Sequence, residues 1–408
     1  MALKRTVILF PAAFLMNLSL LMINFAVIFF LKDLVGLNAS SIGWYFAAGY
    51  GCYAVGCIAI RPVQNKILPP VSMFIAIAMT VFSLLMISRS TSPGAVLVYY
   101  MIFSMAPTFY WPQVMGWFSY GLSNDELSKS ISRFNVSWSS GALVGPLLGG
   151  ILAERNIMMS FYLDIGMIGA IALLLIIGLI FIKDMRNFPA HTAPAANGPA
   201  THETGLEEEL SEPTEELLNG GKGTVLRFCG WIGVYSVYVV LGLMSNIFPL
   251  FIRETLGFGE SVAGNLLFAR GLTTAIGFYL LGRVTFWHFN RKIMLITQAA
   301  TAVLMVIMVF VKLIPVFYLL LILFGVLFSL AYSNGIFHGS AGALDRGRRM
   351  GLFEAILTLG VITGSVGGGY LLQYASIRTA FILTAVIIAL GFAAQILIFS
   401  LSKQKNLP

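Results

Sequence analysis

A chain of 408 residues that is 58% hydrophobic and only 10% charged, with a mean hydropathy of +0.88, has too few charges to coat soluble domains. That balance excludes a secreted disulfide scaffold, a nucleic-acid factor and a soluble enzyme on a single anchor, and leaves room for about a dozen membrane helices of about 20 residues each. The net charge of +8 is explained by the anchoring of loops at a membrane, without a nucleic-acid partner.

In chain order, Met1–Arg5 leads into an apolar run that reaches Phe30 with no small-residue cleavage site, so it reads as a first membrane helix and not as a removable signal. Further runs predict twelve spans, near 8–31, 41–60, 71–89, 95–119, 133–153, 157–182, 226–252, 261–283, 293–312, 316–338, 351–374 and 379–401. Helix is the state that satisfies their backbones in lipid, and the runs are continuous where barrel strands would alternate. The long break carries seven glutamates between Glu203 and Glu216, with Pro189, Pro194, Pro199 and Pro213, and reads as a solvated acidic linker. The expected organisation is therefore 1–183 as a first six-helix half, 184–224 as a cytoplasmic linker and 225–408 as a second half. Cys52, Cys57 and Cys229 fall inside spans as small core residues, and four scattered histidines give no metal-ligand spacing.

Loop charges set the orientation. With the N-terminus inside, eighteen Lys and Arg fall on inner loops and tails against six outside, and Arg270 within span eight completes the 25. The positive-inside rule then puts both termini in the cytoplasm. The halves also resemble each other. An offset of 221 sets Leu31, Lys32 and Asp33 on Ile252, Arg253 and Glu254, and Gly36, Gly43 and Gly56 on Gly257, Gly264 and Gly277. An offset of 219 sets Gly141, Gly145, Gly149 and Gly150 on Gly360, Gly364, Gly368 and Gly369. Such self-similarity marks a duplication, and an even span number per half gives copies of the same orientation, related by an axis along the membrane normal.

The expected fold is thus an all-α polytopic membrane protein with twelve transmembrane helices in a 6+6 pseudo-twofold repeat. It resembles the major facilitator superfamily over almost the whole chain. The most specific local match is Gly141, Gly145, Pro146, Gly149 and Gly150, similar to the Gly-x-x-x-Gly-Pro-x-x-Gly-Gly signature associated with exporters of that superfamily. Glycines there permit close helix approach and Pro146 loosens the helix; close packing alone is the other reading. The superfamily's acidic loop motif after span two is incomplete: the stretch from Gly56 through Arg61 to Lys66 lacks the acid, as does its counterpart at Gly282 and Arg283. Arg61 and Arg283 are left as candidates for gating or lipid head-group contact. Span four lacks the arginine that many drug/proton antiporters carry.

Charges within spans are expensive and face a cavity or a partner. The resemblance implies that spans 1, 2, 4, 5, 7, 8, 10 and 11 line the cavity. That favours Glu354 as a protonation or substrate-cation site and Arg270 as an anion or carboxylate site, with a structural ion pair as the alternative; Asp164 in span six is the weaker candidate. Asn24, Tyr110, Trp111, Gln113 and Asn135 in the first half, and Asn246, Tyr332 and Asn334 in the second, are further candidates for a site lined by aromatics and amides, or for interhelical hydrogen bonds. No nucleotide-binding Gly-x-x-x-x-Gly-Lys pattern is present, and neither cofactor, metal nor catalytic residue is expected. The expected function is secondary transport of a small organic solute by alternating access, with proton-coupled efflux through Glu354, in a monomer in the plasma or inner membrane. A facilitator or importer of the same fold, and a membrane sensor or assembly protein without transport, are the alternatives.

Overall fold

The computed structural model describes residues 4–64, 66–120, 124–186, 222–340 and 346–404. The acidic linker expected at 184–224 lies largely outside these residues. Among the described residues the chain is helical, with no strand. Twelve long helices carry it: α1 (Thr6–Phe29), α2 (Ala39–Ala59), α3 (Pro69–Arg89), α4 (Pro93–Ser119), α5 (Asn124–Arg155) and α6 (Ile157–Phe181), then α7 (Lys222–Asn246), α8 (Glu260–Leu281), α9 (Arg291–Met308), α10 (Ile314–Ser340), α11 (Arg346–Tyr374) and α12 (Ile377–Gln404). Among the described residues, ten helices are long and apolar enough to cross a membrane. The two that fall short are α4, diluted by Tyr, Trp, Pro and Gln113, and α8, which holds Asn265 and Arg270.

The helix boundaries have local causes. Pro69 and Pro93 open α3 and α4, where a missing N–H costs nothing. Asn156 and Asn290 cap α6 and α9, each side-chain oxygen accepting from the N–H two residues on, Met158 at 2.9 Å and Lys292 at 3.1 Å. The seventh span is not continuous. It stops at Asn246 and restarts as a short helix, Phe248–Glu254, because Pro249 has no N–H to give back to the preceding turn. Gly36 and Gly257 end the first and seventh spans at φ +78° and +73°, a conformation that penalises any Cβ. In the same register, Leu37 N–H donates to the Leu31 carbonyl at 2.8 Å and Phe258 N–H to that of Ile252 at 3.1 Å. The two halves thus repeat down to individual backbone bonds.

The chain forms two compact units, residues 1–37, 45–206 and 259–265, and residues 38–44, 207–258 and 266–408. In the first, α1 packs on α5 and α6, and α3 on α4 and α6. In the second, α7 packs on α10, α11 and α12, and α9 on α12. The most apolar stretches of the first and seventh spans are 78% buried, against 28% for α6 and α12. The first and seventh spans are therefore the cores of their units, while α6 and α12 present apolar side chains such as Leu173, Ile180, Leu390 and Leu397 outward, as lipid-facing helices do.

Glycines make the central seams. On the α5 face toward α1, a Cβ at Gly145 would stand 3.0 Å from the Leu18 carbonyl oxygen and one at Gly149 2.8 Å from that of Met22. At Gly141 it would run into the Phe14 carbonyl. On α11 toward α7, Gly360 lies against the Tyr235 carbonyl (2.9 Å to an added Cβ), and Gly364 against that of Val239. The first turns of α8 and α2 are held by mated contacts. Within the first unit, Glu154 accepts from Ser261 N–H at 3.0 Å, and Pro146 C=O faces Gly264. Within the second, Gln373 accepts from Ala39 N–H at 3.3 Å, and Ser365 C=O faces Gly43.

At one end of the first unit, Arg5 ties the chain start to the 3-10 turn Lys183–Arg186. Its backbone N–H donates to Asp184 Oδ2 at 2.9 Å, its Nε lies 3.9 Å from the same oxygen, and Nη2 donates to the Tyr120 carbonyl. Burial pulls the guanidinium pKa below its usual range, with Asp184 acting in the opposite direction. Asp184 is part-exposed, so the pair is screened on one side. Arg5→Ala is expected to destabilise the protein by about 1–2 kcal/mol, read as a lower melting temperature in detergent, and Arg5→Lys by less.

Candidate transport site

The second unit gathers aromatic side chains from four helices around Tyr332. On α10, Phe324, Phe328 and Tyr332 recur every fourth residue and so share one face. Phe328 stacks on Tyr332 at 6.1 Å and 10° between planes. Tyr238 of α7 stacks on Tyr332 at 6.2 Å, Phe278 of α8 tilts against it at 5.4 Å, and Phe353 of α11 meets it edge-on at 5.7 Å. Glu354, next to Phe353 and half-buried, acts electrostatically on the Tyr332 phenol. A carboxylate acting on a phenol at the centre of an aromatic cluster is an arrangement that attracts an organic cation, or holds a proton in its place.

Other second-half candidates are committed elsewhere. Asn246 is buried and donates Nδ2 to Ser365 Oγ at 2.7 Å, joining α7 to α11. Asn334 is buried too. Its side-chain amide donates to the Leu330 carbonyl at 2.9 Å, and its backbone carbonyl pairs with His338 Nδ1 at 2.9 Å. His338 Nε2 in turn accepts from Phe289 N–H at 3.2 Å, which fixes the tautomer and holds Phe289 at φ +50°. Arg270 is half-buried on α8, and its backbone carbonyl accepts from the Thr273 and Thr274 hydroxyls at 2.9 and 3.0 Å. Arg283 lies over the Tyr279 ring at 4.2 Å, a cation–π contact at the exposed end of α8. Arg61 opens a short helix, Arg61–Gln64.

The first unit has its own aromatic cluster, from α1, α4 and α5. Trp111 meets Tyr110 edge-on at 5.2 Å and Phe134 at 6.4 Å, and Phe118 stacks on Phe134 at 4.8 Å while Phe10 tilts against it at 6.1 Å. Tyr110 is fully buried and its hydroxyl closes no hydrogen bond among the described residues. Asn135 accepts from Trp138 Nε1 at 3.1 Å, one turn on along α5, and Asn17 donates to the Trp138 carbonyl at 2.9 Å. Asn24 accepts from the Tyr100 hydroxyl at 3.1 Å, joining α1 to α4. Gln113 is half-buried on α4. Asn135 is the repeat mate of Glu354, so the same place carries a neutral amide in one half and an acid in the other.

Sequence reasoning singled out Tyr332 and Glu354 but not the phenylalanines that complete their surroundings, Phe278, Phe328 and Phe353. The four-residue spacing on α10 was the available signal. Among the described residues no group of three His, Cys, Asp or Glu is placed to hold a metal ion.

Known proteins bear on this geometry. The sequence matches the Major Facilitator Superfamily over residues 9–337 and 228–407. It is 24% identical over 312 residues to a multi-drug resistance efflux pump PmrA homolog of Lactococcus lactis subsp. lactis (strain IL1403), covering 70% of this chain and 71% of that one. Among solved structures, the nucleoside transporter NupG superposes with a TM-score of 0.72 at 14% identity, covering 97% of this chain and 99% of that one. A POT family transporter in complex with a thioalcohol-conjugated peptide superposes with a TM-score of 0.74 at 11% identity, covering 97% and 96%. At such identities the structures carry the fold, and the sequence match carries the family. The chain is a multi-pass membrane transport protein and belongs to the major facilitator superfamily.

Proposed function

We propose that this protein is a secondary transporter that exports a small amphipathic organic cation by alternating access, exchanging it for protons at Glu354. The observation that carries the reading is the convergence of Tyr238, Phe278, Phe328, Tyr332 and Phe353 beside that one acid. Aromatic faces bind the apolar body and the positive charge of such a solute without demanding a fixed hydrogen-bond pattern. A carboxylate that binds either the cation or a proton, but not both, supplies the competition on which exchange depends. The efflux-pump relative supports the outward direction, and the loop charges support cytoplasmic termini. Arg270, also a charge within a span, is assigned to a carboxylate or anion, either on the solute or within the protein.

The test is solute flux in proteoliposomes holding the purified protein, across a panel of organic cations, zwitterions, nucleosides and peptides, with and without an imposed pH gradient. Gradient-driven movement of the cations supports the reading. Gradient-independent equilibration would make the protein a facilitator, inward accumulation an importer, and no flux of any solute would favour a sensor or assembly role.

A further inference from the structure

Asp164 has no part in the transport reading, yet it is the most deeply buried acid among the described residues. It sits on α6, fully enclosed, and Ser19 of α1, equally enclosed, faces its carboxylate. Ser160 lies one turn before it on the same face of α6 and is likewise enclosed. Among the described residues the Ser19 hydroxyl acts on the carboxylate, but neither carboxylate oxygen closes a hydrogen bond of ordinary geometry, and neither do the Ser19 and Ser160 hydroxyls. Among the described residues, four oxygen atoms from three side chains on two helices are thus held away from both lipid and solvent without closing an ordinary hydrogen bond.

Among the described residues no positive charge acts on the carboxylate. α6 packs on α1, α3 and α5 and on the turn Lys183–Arg186. Between Thr6 and Phe29, α1 has no ionisable side chain, and α3 has only Arg89, its last residue. On α5, Asp125, Glu126, Lys129 and Arg133 fall in its first three turns and Glu154 and Arg155 at its end, while Glu154 binds Ser261. In the turn, Asp184 binds Arg5 and Arg186 donates to the Leu179 and Ile180 carbonyls. Among the described side chains none of the groups on α3, at the end of α5 or in the turn hydrogen-bonds to Asp164. An ionised carboxylate left so would be strongly disfavoured.

We infer that Asp164, Ser19 and Ser160 form a binding site for one monovalent cation, a proton or a sodium ion, in the seam between α1 and α6. A single carboxylate balances one positive charge, and hard oxygen donors suit a small hard cation. If the occupant is a proton, the carboxyl becomes a donor to Ser19 Oγ and the charge disappears. If it is sodium, the two hydroxyls join the carboxylate as ligands. Either way the cation joins α6 to the central helix of its unit. The inference is independent of the role assigned to Glu354.

The experiment is thermal unfolding of the purified full-length protein in detergent, titrated with NaCl, KCl and choline chloride at equal ionic strength, for wild type, Asp164→Asn and Ser19→Ala. In the sodium case NaCl alone raises the wild-type melting temperature by about 3 °C or more. Asp164→Asn then loses that response, and Ser19→Ala shifts its half-saturation upward about tenfold. In the proton case no salt is distinguished, and Asp164→Asn, neutral and of the same shape, melts within about 3 °C of wild type or above it. Two outcomes overturn the inference: no sodium-specific response together with an Asp164→Asn protein that melts much lower, or a sodium response that survives Asp164→Asn. Should Asp164→Asn fail to fold, infrared spectra of the Glu354→Gln protein in sodium-free buffer decide. A protonated carboxyl band, or its appearance when sodium is withdrawn, supports the site, and carboxylate bands alone under both conditions contradict it.

Discussion

Glu354→Gln is expected to lower gradient-driven solute flux by about tenfold or more, with the yield and melting temperature of the protein unchanged. Glutamine keeps the shape and much of the hydrogen-bonding capacity of the side chain but can neither carry charge nor exchange a proton. Packing around Tyr332 should persist, because its ring neighbours come from α7, α8, α10 and α11 and do not rely on the acid. The loss should therefore fall on turnover and on pH dependence. Glu354→Asp, which keeps the charge on a shorter arm, should restore part of the flux. Tyr332→Leu separates the aromatic contribution: it should weaken binding of cationic solutes by about 1–2 kcal/mol, as cation–π contacts in a desolvated place do, while leaving the residual flux sensitive to pH.

The second large effect falls on the seams. Gly364→Ala should cost about 3 kcal/mol or more, because its Cβ would run into the Val239 carbonyl and stand 2.9 Å from Leu243 N. Those are backbone atoms of the central helix and cannot rotate aside. Against a total stability of about 5–15 kcal/mol, that loss should appear as a sharp drop in the yield of monodisperse protein and a lower melting temperature. Gly141→Ala in the first unit, against the Phe14 carbonyl and 2.9 Å from Leu18 N, should behave alike. The controls are Gly166→Ala and Gly169→Ala on α6, where an added Cβ meets nothing within 4 Å. These should be neutral or slightly stabilising, since alanine is the better helix former by about 1 kcal/mol.

The spans were legible because lipid imposes one rule on every residue of a long run: apolar, helical and about 20 residues. Hydropathy cannot see the interruption at Ile247, since Phe248, Pro249 and Leu250 are all apolar and the break comes from a missing N–H. The duplication was legible in glycine placement because Gly36 and Gly257 occupy the same left-handed conformation, where only glycine is free of strain. The site was legible in part. Glu354 stands out because a charge in lipid is rare, whereas Phe278, Phe328 and Phe353 look in sequence like any lipid-facing phenylalanine. Asn246 and Asn334 read either as cavity polar groups or as interhelical hydrogen-bond partners, and their amides donate to Ser365 and to the Leu330 carbonyl. Helix rotation decides such outcomes, and composition does not record it. Asp164 was visible as an intramembrane acid, but the two serines that surround it come from different helices and from a residue type common in any span.

The most direct test of proton exchange at Glu354 follows pH inside proteoliposomes with a trapped fluorescent indicator, while a transported organic cation is added outside without any imposed gradient. The account predicts an internal pH change that tracks solute concentration in wild type and is absent from Glu354→Gln. Solute entry with no pH change in wild type, or an equal change in Glu354→Gln, would contradict it.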